Sequence, residues 1–257
     1  MNLELSGKVA IVTGASRGIG RAIAATLADE GMKLTLVARS RDELHDLAST
    51  IKTASLVQAV DLREPDAPGR VVAAAIAQFG TLDLLVNNAG ATKRGDFLEL
   101  SDADWDDGYR LKFFGAMRCS RAAWPHLRAS RGSIVNIVGI GGRTGTAEFT
   151  IGGTVNSALL NLTKCLADRG IADGVRVNAI NPGSIATERL QARLRIFASE
   201  RGVEVSQAED EMAKSFRIAR FGQPAEIARV VAFLASPQAS YCQGAIVDVD
   251  GGATRTL

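Results

Sequence analysis

Glycine, serine and arginine gather where an anion could be held, in the run Thr13-Gly14-Ala15-Ser16-Arg17-Gly18-Ile19-Gly20. Three residues separate Gly14 from Gly18, and one separates Gly18 from Gly20. Glycines so spaced permit a tight turn and let a backbone come close to a pyrophosphate. A helix beginning at Gly18 would add free N–H groups and a favourable dipole at its amino end. Glycines also punctuate ordinary turns, so the discriminating test is context: the run must leave a strand and open a helix. Other chemistries have little to work with. Two histidines (His45, His126) and three scattered cysteines (Cys119, Cys165, Cys242) do not compose a zinc site, and no metal is expected. Cysteines so few and odd in number point to reduced thiols and a cytoplasmic setting.

The elements around the loop meet that test. Lys8–Thr13 reads as a buried strand, followed by a helix from about Gly18 to Glu30 that Gly31 stops. Further strands are expected at Leu34–Ala38, Leu56–Val60, Asp83–Val86, Gly132–Val138, Val175–Ile180 and Ala245–Val249. Helical spacing of apolar residues runs through Arg41–Thr53, up to Phe79 and over Thr154–Asp168, and Ser101 is placed to cap a long helix. Strands alternating with helices imply a parallel sheet covered on both faces, here seven-stranded. Right-handed crossovers then make it a single doubly wound α/β domain of Rossmann type spanning 1–257, whose ligands bind beyond the carboxyl ends of the strands. With 30 basic and 28 acidic residues the net charge is +2, and nothing in it invites nucleic acid. No apolar run has the length of a membrane span, and the start Met1-Asn2-Leu3-Glu4-Leu5 lacks the pattern of a signal peptide.

The glycine spacing resembles the TGxxxGxG loop of the short-chain dehydrogenase/reductase family. Asn87-Asn88-Ala89-Gly90 is similar to its NNAG motif, and Asn181-Pro182-Gly183-Ser184-Ile185-Ala186-Thr187 to its PGxIxT turn. Arg220–Ala228 and Val249-Asp250-Gly251-Gly252 resemble its carboxyl-terminal pattern, so the likeness runs from about Leu5 to Gly252. It implies a dinucleotide contacted by Gly14, Ser16, Arg17, Gly18, Ile19 and Gly20. Asp61 and Leu62 would meet the adenine, and Asn88, Ala89 and Gly90 would back the adenosine ribose. Pro182, Gly183, Ile185 and Thr187 would bracket the nicotinamide. Ala38-Arg39-Ser40 carries no acid for ribose hydroxyls; Arg39, with Arg17 nearby, suits the 2′-phosphate of NADP(H) better than NAD(H). The plainer alternative makes both arginines solvated surface charges.

The family's chemistry uses an Asn-Ser-Tyr-Lys tetrad, and the resemblance implies that this chain lacks it. The segment Leu160–Ala167 anchors the lysine position on Asn156 and the tyrosine position on Gly152. The strand ending Ile137-Val138-Gly139 puts Gly139 at the serine position, thirteen places before Gly152 as in the family. Trp105 and Gly115 bracket the asparagine position, which holds Lys112. Tyr109 and Tyr241 are the chain's tyrosines, both expected to be packing residues. Lysine and asparagine have thus traded places. Lys112 is either a solvated helix residue or, if it meets Asn156, a substitute acid whose pKa desolvation would lower. Glycines at 139 and 152 are expected to leave extra room.

Residues 188–216 would form an amphipathic helical lid, with Arg189, Arg193, Arg195 and Arg201 among apolar Leu190, Leu194, Ile196 and Phe197. The basic face is either solvated or turned to an anionic small-molecule substrate. Three functions stay open: an NADP(H) oxidoreductase with an atypical site, a silent cofactor-binding pseudoenzyme or partner subunit, and a non-redox lyase or isomerase. The resemblance also implies a homo-oligomer, a tetramer or dimer.

Overall fold

The computed structural model describes residues 2–255. Seven parallel strands form one sheet in the order β3-β2-β1-β4-β5-β6-β7. They are β1 Val9–Thr13, β2 Lys33–Ala38, β3 Ser55–Ala59, β4 Leu84–Asn87, β5 Ser133–Ile137, β6 Arg176–Pro182 and β7 Ile246–Val249. The central β1, β4 and β5 are buried along their whole length, which explains their mainly apolar character. Helices α1 (Gly18–Asp29), α2 (Arg41–Thr50) and α9 (Pro224–Ala235) supply one apolar layer through Ile23, Leu27, Leu44, Leu47, Ile227 and Val231. Helices α3 (Ala67–Phe79), α5 (Ala116–Ser130) and α6 (Thr150–Asp173) lie on the other side, with Val71, Ala75, Cys119, Ala123 and Leu127 in the second core. Burial pushes the Cys119 thiol up to about 12, so it packs as an uncharged group.

The chain order reverses between β1 and β4, so a crevice opens at their carboxyl ends. Thr13 fixes this edge. Its hydroxyl donates to Val86 O (3.1 Å) and accepts from Asn88 N (2.9 Å) and Ala89 N (3.0 Å). Beneath it, Asn87 Nδ2 donates to Ser120 Oγ and Asn136 Oδ1, and Asn136 Nδ2 donates to Thr163 Oγ1. This buried chain of polar groups ties β4, β5, α5 and α6 into one rigid floor.

Helix α4 (Asp102–Gly108) begins at the expected cap: Ser101 Oγ accepts Asp104 N (3.3 Å), and the Asp104 carboxylate accepts Ser101 N (3.0 Å). It runs into α5 through a π-helical stretch, Tyr109–Gly115, which carries Lys112. Helix α6 starts at Thr150 rather than Thr154, so Gly152 and Gly153 lie within its first turn. The segment expected as a lid folds into two helices, α7 (Glu188–Arg201) and α8 (Val205–Ser215), joined past Gly202 and packed through Leu190, Leu194, Met212 and Phe221. Among the described residues, no helix is long and apolar enough to cross a membrane, and no group of three or more His, Cys, Asp or Glu side chains could hold a metal.

Candidate active site

The glycine loop is built for close approach. A Cβ on Gly20 would stand 2.1 Å from Gly14 O and 2.4 Å from Asn88 Nδ2, so no side chain fits. Gly14 has φ +67°, a left-handed conformation natural to glycine. Asn88 Nδ2 donates to Thr13 O (3.0 Å) and Gly14 O (3.1 Å), which braces the loop from behind. Helix α1 has no side-chain cap and no acid in its first turn, so its amino-terminal N–H groups are open to an anion. Ser16 and Ile19 lie in the same turn. Arg17 and Arg39 are exposed and form no ion pair among the described residues. These features fit a dinucleotide's phosphates.

Other expected contacts sort by what their side chains do. Asp61 is tethered by Arg63, which also pairs with Asp107 on α4; that guanidinium holds the Asp107 carboxyl below its usual range. Leu62 is buried in the second core and Ile185 in the first, so only their backbones can face a ligand. A Cβ on Gly183 would lie 2.7 Å from Asp250 Cα, another close backbone approach, beside buried Pro182. Thr187 puts its methyl 3.3 Å from the Cβ position of Gly18, against the phosphate loop. Ser40 precedes α2, with Ala89 and Gly90 just past β4.

Lys112 and Asn156 meet. Lys112 Nζ donates to Asn156 Oδ1 (2.5 Å) and to Val138 O (2.6 Å), and Asn156 Nδ2 donates to Gly139 O (3.4 Å). The lysine stem lies against Gly90, whose Cβ position is 2.9 Å from Lys112 Cδ. It is therefore not a solvated surface lysine. Burial, and secondarily the Arg189 charge, push its pKa down to about 8. Arg189 Nη2 donates to Gly90 O (3.3 Å), on the other side of the same glycine.

The expected extra room is absent. The Phe149 ring fills it: a Cβ on Gly152 would fall 2.0 Å from Phe149 Cζ, and one on Gly141 2.8 Å from its Cε1. Gly139 has φ +124°, which disfavours a serine there whatever the space. The Arg94 guanidinium lies over the Phe149 ring, 4.0 Å from its centroid. Phe149 and Arg94 escaped the sequence reading because neither belongs to a motif. Tyr109 packs edge-on against Phe113, whereas Tyr241 is fully exposed and packs nothing. Glu148 and Thr154 make no contact with Lys112; Thr154 Oγ1 bonds back to Thr150 O.

A separate cleft of about 510 Å³ lies at the amino-terminal edge of the sheet, near Lys8, Asp83 and Gln243. Asp83 and Gln243 are spent there on backbone: Asp83 accepts Val9 N, and Gln243 bonds Val177, Ala167 and Val175. The chemistry belongs at the carboxyl edge.

A parallel sheet with a glycine cradle at its switch point is the frame of a dinucleotide-binding α/β fold. Residues 14–254 match the family model described as enoyl-(acyl carrier protein) reductase. The chain is 37% identical to the short-chain reductase protein NovJ of Streptomyces niveus over 248 residues, covering 95% of this chain and 93% of that one. It is 34% identical to a 3-oxoacyl-[acyl-carrier-protein] reductase, FabG, of Staphylococcus aureus, covering 95% and 97%. The L-sorbose reductase of Gluconobacter frateurii, solved with NADPH and L-sorbose, superposes with a TM-score of 0.96 at 35% identity over 100% of both chains. The chain belongs to the short-chain dehydrogenase/reductase family.

Proposed function

We propose that this protein is an NADP(H)-dependent oxidoreductase of small molecules in which Lys112 replaces the family's phenol as the proton-transferring group. One observation carries the reading: Lys112 Nζ is held by two carbonyl oxygens, with a pKa pushed down to about 8. The cofactor, when bound, supplies or accepts a hydride. Arg17 and Arg39 hold its 2′-phosphate, and Gly14–Gly20 its pyrophosphate; the solved L-sorbose reductase, a complex with NADPH, supports that choice. Cytoplasmic, homo-oligomeric operation completes the reading; the free thiols and the exposed Tyr241 and Ile171 support it.

The proton chemistry follows from counting donors. An ammonium has three N–H groups, and two are committed to Val138 O and Asn156 Oδ1. The third is free to protonate a carbonyl oxygen as its carbon is reduced. The neutral amine keeps both hydrogen bonds, so giving up the proton leaves neither carbonyl unpaired. A pKa near the working pH suits a group that must both give and regain a proton.

Lys112→Met should cut ketone reduction by ~10²–10⁴-fold, the usual worth of a positioned acid, while leaving NADPH binding intact. Reduction needs the charged lysine, so its rate should be full well below pH 8 and fall as pH rises through about 8; oxidation should rise there. Steady-state rates over a ketone panel at graded pH check both. Unchanged turnover in the methionine variant would reject Lys112 as the proton donor, whereas no ketone reduction by the unaltered protein would favour the silent cofactor-binding reading, which the Phe149 ring beside Gly152 otherwise supports.

A further inference from the structure

We propose that the substrate carries a carboxylate, held by Arg94 and Arg193 above the Phe149 ring. The proposal rests on the NADP(H) reading, because that reading accounts for the neighbouring cations. Arg17 and Arg39 face the cofactor's phosphates, and Arg189, next to Thr187 and bonded to Gly90 O, lies on the cofactor side. Arg94 and Arg193 form no ion pair among the described residues.

Arg94 sits on the loop after β4, which is fastened to the turn before α6 by Gly95 N donating to Glu148 O (3.2 Å). That bond brings its guanidinium over Phe149 at 4.0 Å. A guanidinium's N–H fork matches the two oxygens of a carboxylate. Among the described residues, Arg94 makes neither hydrogen bond nor ion pair. Arg193 comes from α7, four residues after Arg189, so both arginines share one helix face. Burial, then the charges of Arg193 and Arg189, make Arg94 less basic than usual, with Glu148 offsetting only part. Arg94 thus feels two guanidinium charges and one carboxylate, and among the described residues Glu148 forms an ion pair with none of them, so the cluster keeps an excess of positive charge.

The site adjoins the reacting end. The Phe149 ring touches the Cβ position of Gly141, which is itself 3.6 Å from Asn156 Nδ2, and Asn156 holds Lys112. Contacts therefore run from Arg94 through the Phe149 ring, Gly141 and the Asn156 amide to the proton donor. Since Phe149 also fills the space beside Gly152, the substrate is a small oxo or hydroxy acid rather than a bulky one.

The test loads the protein with NADP⁺ and titrates butanoate, butanamide and propyl phosphate by saturation-transfer NMR; NADPH fluorescence reports cofactor affinity separately. Butanoate should bind about ten-fold more tightly than butanamide, the ratio expected of one charged hydrogen-bond pair. Arg94→Gln and Arg193→Gln should each erase most of that preference without changing NADPH affinity. Equal binding of acid and amide, a preference surviving both variants, or tighter binding of propyl phosphate than butanoate overturns the carboxylate site while leaving the cofactor reading standing. Failure to bind NADPH overturns the cofactor reading and, with it, this one.

Discussion

Two glycine-rich turns leave the carboxyl edge of the sheet, one after β1 and one after β5, and they use glycine differently. In the first, the missing Cβ atoms would strike backbone: Gly20 against Gly14 O, and Gly14 against Ala89. In the second, those at Gly141 and Gly152 would strike a side chain, the Phe149 ring. Backbone held by the sheet cannot step aside, whereas an aromatic ring can be replaced. A site made of main-chain groups thus resists sequence change, and one made of side chains can be rewritten on the same scaffold.

The sharpest way to break this contrast is Gly20→Ala. The added methyl would meet Gly14 O at 2.1 Å, so NADPH binding should vanish and stability should fall by ~3 kcal/mol, the upper range for overpacking. Fluorescence titration and thermal unfolding read the two effects; a variant that still bound NADPH would undo the contrast. Gly152→Tyr should cost less, ~1–3 kcal/mol, because only Phe149 must move. Adding Phe149→Ala should recover most of the loss, and no recovery would mean that the obstacle is backbone after all. The smallest effect belongs to Arg39→Asp. It should shift the preference for NADPH over NADH by ~10-fold, about one charge-assisted hydrogen bond, since phosphate contacts from Arg17 and the loop backbone remain. Unchanged discrimination would remove Arg39 from the cofactor site.

The same contrast governs what could be read from sequence. The buried strands announced themselves as β-branched runs, and the phosphate loop through glycines whose reason is local. The meeting of Lys112 with Asn156 was legible as a conditional, from two exchanged residues 44 positions apart. The start of α6 was misplaced because Gly152 and Gly153 weaken a helix, and buried Ile151 with the docked Phe149 ring overrides that weakness. Phe149 was invisible for the same reason: what fills a gap between elements is set by their packing, not by neighbours in the chain. Tyr241 was misjudged because an aromatic residue beside a strand usually finds cover, and within this chain it finds none.

The π-helical stretch Tyr109–Gly115 makes the aim of Lys112 a matter of counting. Such a stretch winds one surplus residue into an otherwise regular spiral. Losing the codon of any of its residues other than Leu111, Lys112 and Phe113 would let the coil close normally and swing everything on one side of the join by about 100°. The lysine would be intact, with unaltered neighbours in sequence, yet turned from Val138 and Asn156. One lost codon could therefore undo the Lys112–Asn156 meeting without touching either residue.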